Sequence, residues 1–381
     1  MTSAVSQKMA YSIPFREGTP SFFYDPDEWA KLFPPSVMNW LSGAAELTPE
    51  GDDHKPLTPG ACVVNASGKL LRALPRRADL PVVVAVRMSL SFPILLSAVP
   101  LHSIDWSLAE NQAKKKALAD AAKKGTPAAE KLIATRIWFS DGGICSNMPL
   151  HMFDALLPGH PTFAANLKAQ HPDHPILEPE CACNEGGRVY LPEDNRAGRV
   201  RYWPEPDDRQ PMSGLVGFLS SVVYTMQNWR DELLFPYPGF RDRVVQISQK
   251  EGEGGLNLDM PKASIEALAH AGGMAAHRLV DRFHPQGTGG GRGWVNHQEV
   301  RLGTFLGTMQ PGSTELHPSL ASGLWAARLA GIKRYGAAEK RLAADFLVGL
   351  EGLGALGVQS GKSLKNGALK PLAQVRITPR I

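Results

Sequence analysis

Apolar and polar positions fall in blocks along the chain, and the blocks predict alternating helices and strands. Asp25, Pro26 and Glu28 stand where a capping box places its N-cap, N1 and N3 residues, and Trp29, Leu32 and Phe33 follow at helical spacing. Pro34 and Pro35 end that helix; Val37, Trp40 and Leu41 predict a further turn or two, and residues 43–60, polar and rich in Gly and Pro, read as a loop. Residues 81–86, Pro-Val-Val-Val-Ala-Val, read as a buried parallel strand, with a buried helix as the alternative. Residues 108–124 predict a basic, alanine-rich helix. Residues 134–140 predict a strand that ends at Asp141-Gly142-Gly143. A short helix over 151–157 and a strand over 161–167 come next. Residues 168–212 carry little periodicity and many Pro, Asp and Glu, the mark of a long functional or mobile loop. Residues 213–234 predict a helix with Phe218, Val222, Met226 and Trp229 on one face, residues 243–248 a strand, and 262–283 a helix interrupted at Gly272-Gly273. Residues 286–293 read as a flexible Gly-rich linker, and 318–355 as helical. The pattern over 80–250 is that of an α/β fold with a mostly parallel sheet.

Composition narrows the function classes. The chain has 381 residues, 43% hydrophobic and 20% charged, which is a folding composition with room for two domains. Its 37 Gly and 31 Pro exclude a helical bundle throughout. A net charge of +4 is too small to argue for nucleic acid as a partner. Lys114, Lys115, Lys116, Lys123 and Lys124 cluster on one predicted helix, read as a solvated face with peripheral contact to an anionic membrane as the alternative. Four cysteines are too few for a disulfide scaffold. Cys181 and Cys183 lie near His171 and His174, but the spacing is not that of a zinc knuckle, so they read as reduced loop thiols; no metal and no cofactor are expected. The first residues lack the apolar core of a signal peptide, and the apolar stretch over 80–101 holds Arg87, Pro81, Pro93 and Pro100, which does not suit a membrane span. A cytoplasmic location follows as the expectation.

Chemistry centres on the strand that ends in Asp-Gly-Gly. In open α/β sheets ligands bind beyond the carboxyl ends of the strands, where Asp141 would sit with two glycines that admit close approach; the alternative is an Asp that caps the next turn. The wider pattern resembles the patatin-like phospholipase family, in the branch of bacterial proteins with long C-terminal extensions. The resemblance is carried by Arg87-Met-Ser-Leu-Ser-Phe-Pro93 and by Ile137-Trp-Phe-Ser140 leading into Asp141-Gly-Gly-Ile-Cys-Ser-Asn147-Met-Pro149. Further matches are Phe22-Phe-Tyr-Asp-Pro26, Leu32-Phe-Pro34, Pro161-Thr-Phe163, Met226-Gln-Asn-Trp-Arg-Asp231 and Glu253-Gly-Gly-Leu-Asn-Leu258. It covers residues 1–285. The resemblance implies lipid acyl hydrolysis by a Ser–Asp dyad: a serine in G-x-S-x-G attacks, Asp141 takes its proton without a histidine, Gly142 and Gly143 complete the active-site motif, and a Gly-rich loop supplies the oxyanion donors.

No G-x-S-x-G occurs in the 381 residues, so the nucleophile is expected to be absent from this chain together with the oxyanion loop. Ser3 lacks the flanking glycines of an elbow, Ser89 and Ser91 lie in an element that the family packs near its site without using it as nucleophile, and Gly289–Gly293 follows no apolar strand. His297 and His317 stand singly and read as surface positions. The expected organisation is an incomplete patatin-like domain over 1–285, a linker and connection over 286–313, and a helical C-terminal extension over 314–381. The expected function is that of the C-terminal part of a lipid acyl hydrolase, inactive as this chain alone, with a lipid ester as substrate. The alternatives are a non-catalytic protein of the same descent that binds lipid surfaces, and a half-enzyme completed by a second chain that supplies the nucleophile.

Overall fold

A computed structural model of the chain describes residues 1–15, 21–44, 61–93, 95–127, 129–170, 187–192, 194–195, 211–250, 252–254 and 257–372. They divide into two units. The first comprises Met1–Asn147 and Leu219–Asn228; the second comprises the described residues of Met148–Phe218 and Trp229–Thr378.

The first unit is built on a sheet of seven strands. They are β1 (Thr2–Ala4), β2 (Met9–Tyr11), β3 (Phe22–Tyr24), β4 (Cys62–Val64), β5 (Arg72–Ala73), β6 (Val99–Ile104) and β7 (Lys131–Asp141), interspersed with helices α1 (Pro26–Trp29), α2 (Pro35–Ala44), α3 (Val82–Ser89) and α4 (Ala109–Lys124). The order is β2-β1-β7-β6-β3-β5. β7 is its spine. One edge of β7 pairs with β6 along six residues; the other is shared by β4 at Lys131–Ile133 and β1 at Phe139–Asp141. β4–β7 is the only parallel pairing here among the described residues, so the sheet is mostly antiparallel rather than mostly parallel. The helix between β6 and β7 explains the misreading. α4 links two antiparallel neighbours, where a helix between strands in sequence usually marks a parallel crossover.

Local chemistry accounts for the helices. Asp25 caps α1 by accepting from Asp27 N and Glu28 N, with Pro26 at the first turn, as the capping pattern predicts. The Glu28 carboxylate pairs with Arg136 of β7. Residues 82–89 form a helix, not a strand. Val84 and Met88, four apart, are fully buried, while Val82, Val83 and Val86 are exposed. β-Branching lowers helix propensity by only a fraction of a kcal/mol, roughly 0.5, and burial on one face outweighs it. Lys115, Lys116, Lys123 and Lys124 of α4 face outward, as a solvated face would, while Lys114 turns to Glu110 and the Lys131 carbonyl; Asn111 ties the helix to the sheet through Ile133 N and O. The core gathers Tyr11, Phe15, Phe22 and Phe139 ring against ring, with Trp29 beside them donating from Nε1 to Pro100 O at 2.7 Å.

The second unit has a three-stranded sheet, β8 (Ala164–Ala169), β9 (Val189–Tyr190) and β10 (Val244–Gln249), ordered β8-β10-β9. β8 and β10 are parallel; β9 is antiparallel to β10. α5 (Pro211–Leu234) is divided between the units, its Leu219–Asn228 stretch belonging to the first; the helices wholly of the second are α6 (Lys262–Phe283), α7 (Arg292–Ala321), α8 (Leu324–Leu329) and α9 (Ala337–Ser360). α6 runs unbroken through Gly272-Gly273 and buries Ala271, Met274 and Ala275 against Val189, Val245 and Ile247. The expected short helix over 151–157 is a single 3-10 turn, Leu150–Phe153.

The expected linker over 286–313 takes another form. Gly289 N donates to Asp281 O at 2.7 Å, His284 N donates to Val280 O, and from Arg292 to Ala321 the chain is helix. A Cβ on Gly289 would lie 2.7 Å from the Asp281 carbonyl oxygen, and Gly291 takes φ +72° as it enters α7. These glycines are where two helices must turn against each other at close range, a requirement that composition alone does not separate from looseness.

Candidate functional site

Asp141 ends β7. Its amide donates to Ser91 O at 3.1 Å, and its backbone (φ −50°, ψ 139°) leaves the strand for a 3-10 turn over Gly142–Ile144. Oδ1 accepts from Gly143 N at 2.6 Å, so the carboxylate caps that turn. Oδ2 accepts no hydrogen bond from the described residues. The two glycines are there because nothing larger fits. A Cβ on Gly142 would lie 2.5 Å from the Met1 carbonyl oxygen; one on Gly143 would lie 2.6 Å from Asp141 Oδ1 and 2.7 Å from Asn147 Oδ1. Asn147 Nδ2 donates to Asn228 Oδ1 at 2.8 Å, closing the turn on its far side.

The serines weighed as nucleophiles are spoken for or remote from an elbow. Ser91 is fully buried; its Oγ accepts from Arg87 at 2.6 Å and donates to Arg87 O at 2.7 Å. Its carbonyl receives both the Asp141 amide and Ser140 Oγ, so the Ser-x-Ser-Phe-Pro segment is the floor under the Asp turn. Ser89 closes α3. Ser3 sits in β1 opposite Ser140, and its Oγ donates to Cys145 Sγ at 3.2 Å. Gly289–Gly293 belongs to the α6–α7 turn. What the first unit assembles is a fixed carboxylate on a tight glycine turn, without a serine elbow among the described residues.

The second unit holds a charged cluster that sequence reasoning missed. Asp242 and His297, both nearly inaccessible, meet at 2.9 Å. This corrects the expected surface position of His297. Burial pushes the Asp242 carboxyl upward, and the hydrogen bond and charge of His297, with Asn195 and Arg282, outweigh it and hold the group below the usual carboxylate range. Nearby, Asp154 takes Arg243 at 2.8 Å and Arg301 at 3.1 Å, and both guanidinium groups stack toward the Phe240 ring. Arg243 also donates to Gly239 O and Thr162 Oγ1, and Arg301 to Ala155 O. The available signal was spacing. His297 and Arg301 stand four apart on α7, one face of a helix, and the Arg241-Asp242-Arg243 triplet abuts a buried strand. Through these bonds the cluster ties α7 to the start of β10.

Among the described residues no group of three or more His, Cys, Asp and Glu could hold a metal ion. Cys181, Cys183, His171 and His174 lie outside the described residues. Cys62 and Cys145 are free thiols.

Over 412 aligned positions the chain is 33% identical to a protein of Rhizobium meliloti (strain 1021) named RpoH suppressor; the match takes in the whole of this chain and 60% of the length of that relative. No protein-family model matches the chain, and no solved structure matches it.

Proposed function

We propose that the chain is the base-bearing part of a patatin-like lipid acyl hydrolase of the Ser–Asp dyad type, with a lipid ester as substrate and no hydrolysis by these 381 residues alone. The observation that carries the reading is the Asp141 turn. A carboxylate with one oxygen fixed by a backbone N–H and the other accepting no hydrogen bond from the described residues, near enough to the Met1 ammonium to feel its charge, suits a base that must receive a hydroxyl proton in one direction. In the proposed reaction a serine Oγ supplied by a G-x-S-x-G segment loses its proton to Asp141 as it attacks the ester carbonyl. The proton then passes to the departing alkoxide, and water releases the acyl group by the reverse relay. On this reading the first unit is part of a patatin-like fold.

A second reading is a protein that carries no ester chemistry, in which Asp141 is a cap and nothing more. The 2.6 Å bond from Gly143 N favours it, as does the likeness to a protein named for suppression of RpoH. One experiment separates the two. The chain alone should not label with a fluorophosphonate probe or hydrolyse a short-chain nitrophenyl ester. The same chain supplied with a G-x-S-x-G segment of a patatin-like hydrolase should do both, and Asp141→Asn should then cut turnover by about 10²–10⁴-fold. Serine labelling of the chain alone, or full turnover by Asp141→Asn, would overturn the proposal.

A further inference from the structure

α9 is the one helix among the described residues long and apolar enough to cross a membrane, yet only 6% of its apolar stretch is buried. One side packs tightly on α7, where a Cβ on Gly354 would lie 2.6 Å from the Ser313 carbonyl oxygen. An exposed side presents Leu342, Phe346, Leu353 and Leu356, which are 69, 65, 55 and 62% exposed. Intervals of four, seven and three place them in one stripe along the helix. A run of exposed apolar side chains of this extent on a charged protein marks a surface that meets something.

Charge says what. Between Leu324 and Lys370 there are eight Lys and Arg against three Asp and Glu, a net of +5, while the whole chain is +4. The rest of the chain is therefore slightly negative, and the positive charge belongs to this segment. It sits at the two ends of the stripe, Lys340 and Arg341 before it and Lys362 and Lys365 after it. Trp325 and Tyr335 are exposed at the first end, amphipathic rings of the kind that settle at headgroup depth. Docking a second copy on the stripe would bring cationic ends against cationic ends. A span is disfavoured because Asp345 and Glu351 lie within α9, and each buried carboxylate costs at least roughly 2.5 kcal/mol at the bilayer centre.

We propose that the α9 stripe lies in the plane of a bilayer rich in anionic phospholipid, with its apolar side chains among the acyl chains and its terminal cations at the headgroups. This surface is independent of the ester chemistry proposed above. Vesicle binding is read without turnover, so either proposal can fail and leave the other standing.

The test is co-sedimentation of the full 381-residue chain with phosphatidylcholine vesicles, with and without about one-third phosphatidylglycerol. The expected result is binding to the anionic vesicles alone, weakening as salt rises. Phe346→Glu with Leu353→Glu should abolish it. Lys362→Gln with Lys365→Gln should weaken it about 30-fold, from roughly fivefold per cation near an anionic surface, and flatten the salt dependence. Unchanged far-ultraviolet circular dichroism and melting show that each variant folds. Equal binding to neutral vesicles, or binding that survives Phe346→Glu with Leu353→Glu, overturns the proposal. So does a vesicle-free dimer that those two substitutions dissociate while the parent ignores vesicles, since the stripe is then a self-contact.

Discussion

Replacing Asp141 separates what the carboxylate does for the fold from what it does in the proposed reaction. The capping bond, Oδ1 to Gly143 N at 2.6 Å, is a charge-assisted side-chain cap. Losing such a cap costs about 0.5–2 kcal/mol. In a unit of this size one kcal/mol moves the melting temperature by about 2–4 °C, so Asp141→Ala should lower it by roughly 1–8 °C. Asp141→Asn keeps the acceptor at nearly the same place and should stay within a degree or two of the parent (about 0.5 kcal/mol). Turnover should divide the variants differently. With the serine region present, Asn and Ala both lose the base, and ester hydrolysis should fall by about 10²–10⁴-fold in each. Differential scanning calorimetry and initial-rate kinetics on the same preparations give both readouts. If Ala melts with the parent, the cap is energetically empty. If Asn hydrolyses at the parent rate, the base assignment is wrong, whatever the melting curve says.

Asp154→Ala should destabilise the second unit by about 3–5 kcal/mol in chemical denaturation, because it strands the buried guanidinium of Arg243 and that of Arg301 without a counter-charge; a loss below about 1 kcal/mol would refute this account of the cluster. His102 is buried on β6 opposite Arg136, and burial first, then the Arg136 charge, hold its imidazole below the usual range, with Glu28 and Asp25 opposing. Its folded pKa lies under the unfolded value of about 6.5, so its contribution is complete above that pH and is lost as pH falls through it. His102→Gln should flatten the slope of stability against pH below about 6.5, and an unchanged slope counts against the assignment. Gly142→Ala drives a Cβ to 2.5 Å from the Met1 carbonyl oxygen and should cost about 1–3 kcal/mol, whereas Gly159→Ala, with nothing within 4 Å, should be nearly silent; equal effects at the two positions would show that the turn yields.

Elements whose signals are local were legible. The Asp25 cap, the strand that stops at Asp141, and the helices over Pro211–Leu234 and Lys262–Phe283 all follow from capping chemistry and periodicity, which the neighbouring residues set. What was not legible depends on partners distant in the chain. Val82–Ser89 has the composition of a strand, and only the one-sided burial of Val84 and Met88 makes it a helix. Strand direction was misread because α4 returns the chain to an antiparallel neighbour, and an element alternating in sequence does not state which way it comes back. At the candidate site the position of Asp141 at a strand end was readable, and so were its glycines. That Gly142 is pressed on Met1, and that Ser91 supplies the carbonyl beneath the turn, are contacts across 141 and 50 residues of sequence, outside any local pattern. His297 was read as a surface residue because a single histidine carries no signal until Asp242, 55 residues away, is placed against it.

The glycine turn between α6 and α7 bears on where this protein can be cut. Low-complexity stretches are the usual choice for fragment boundaries, and residues 286–293 invite a truncation at 285. That cut would remove His297 from Asp242 and Arg301 from Asp154, so Asp242 loses its ion-pair partner and Asp154 one of its two guanidinium groups. It would also take away the Gly289 amide that closes the last turn of α6 on Asp281. A fragment of residues 1–285 would thus be expressed with its polar seam open, and its insolubility would be mistaken for a property of the fold. The permissible boundary in this region lies beyond the end of α7 at Ala321, inside what composition would have assigned to the neighbouring piece.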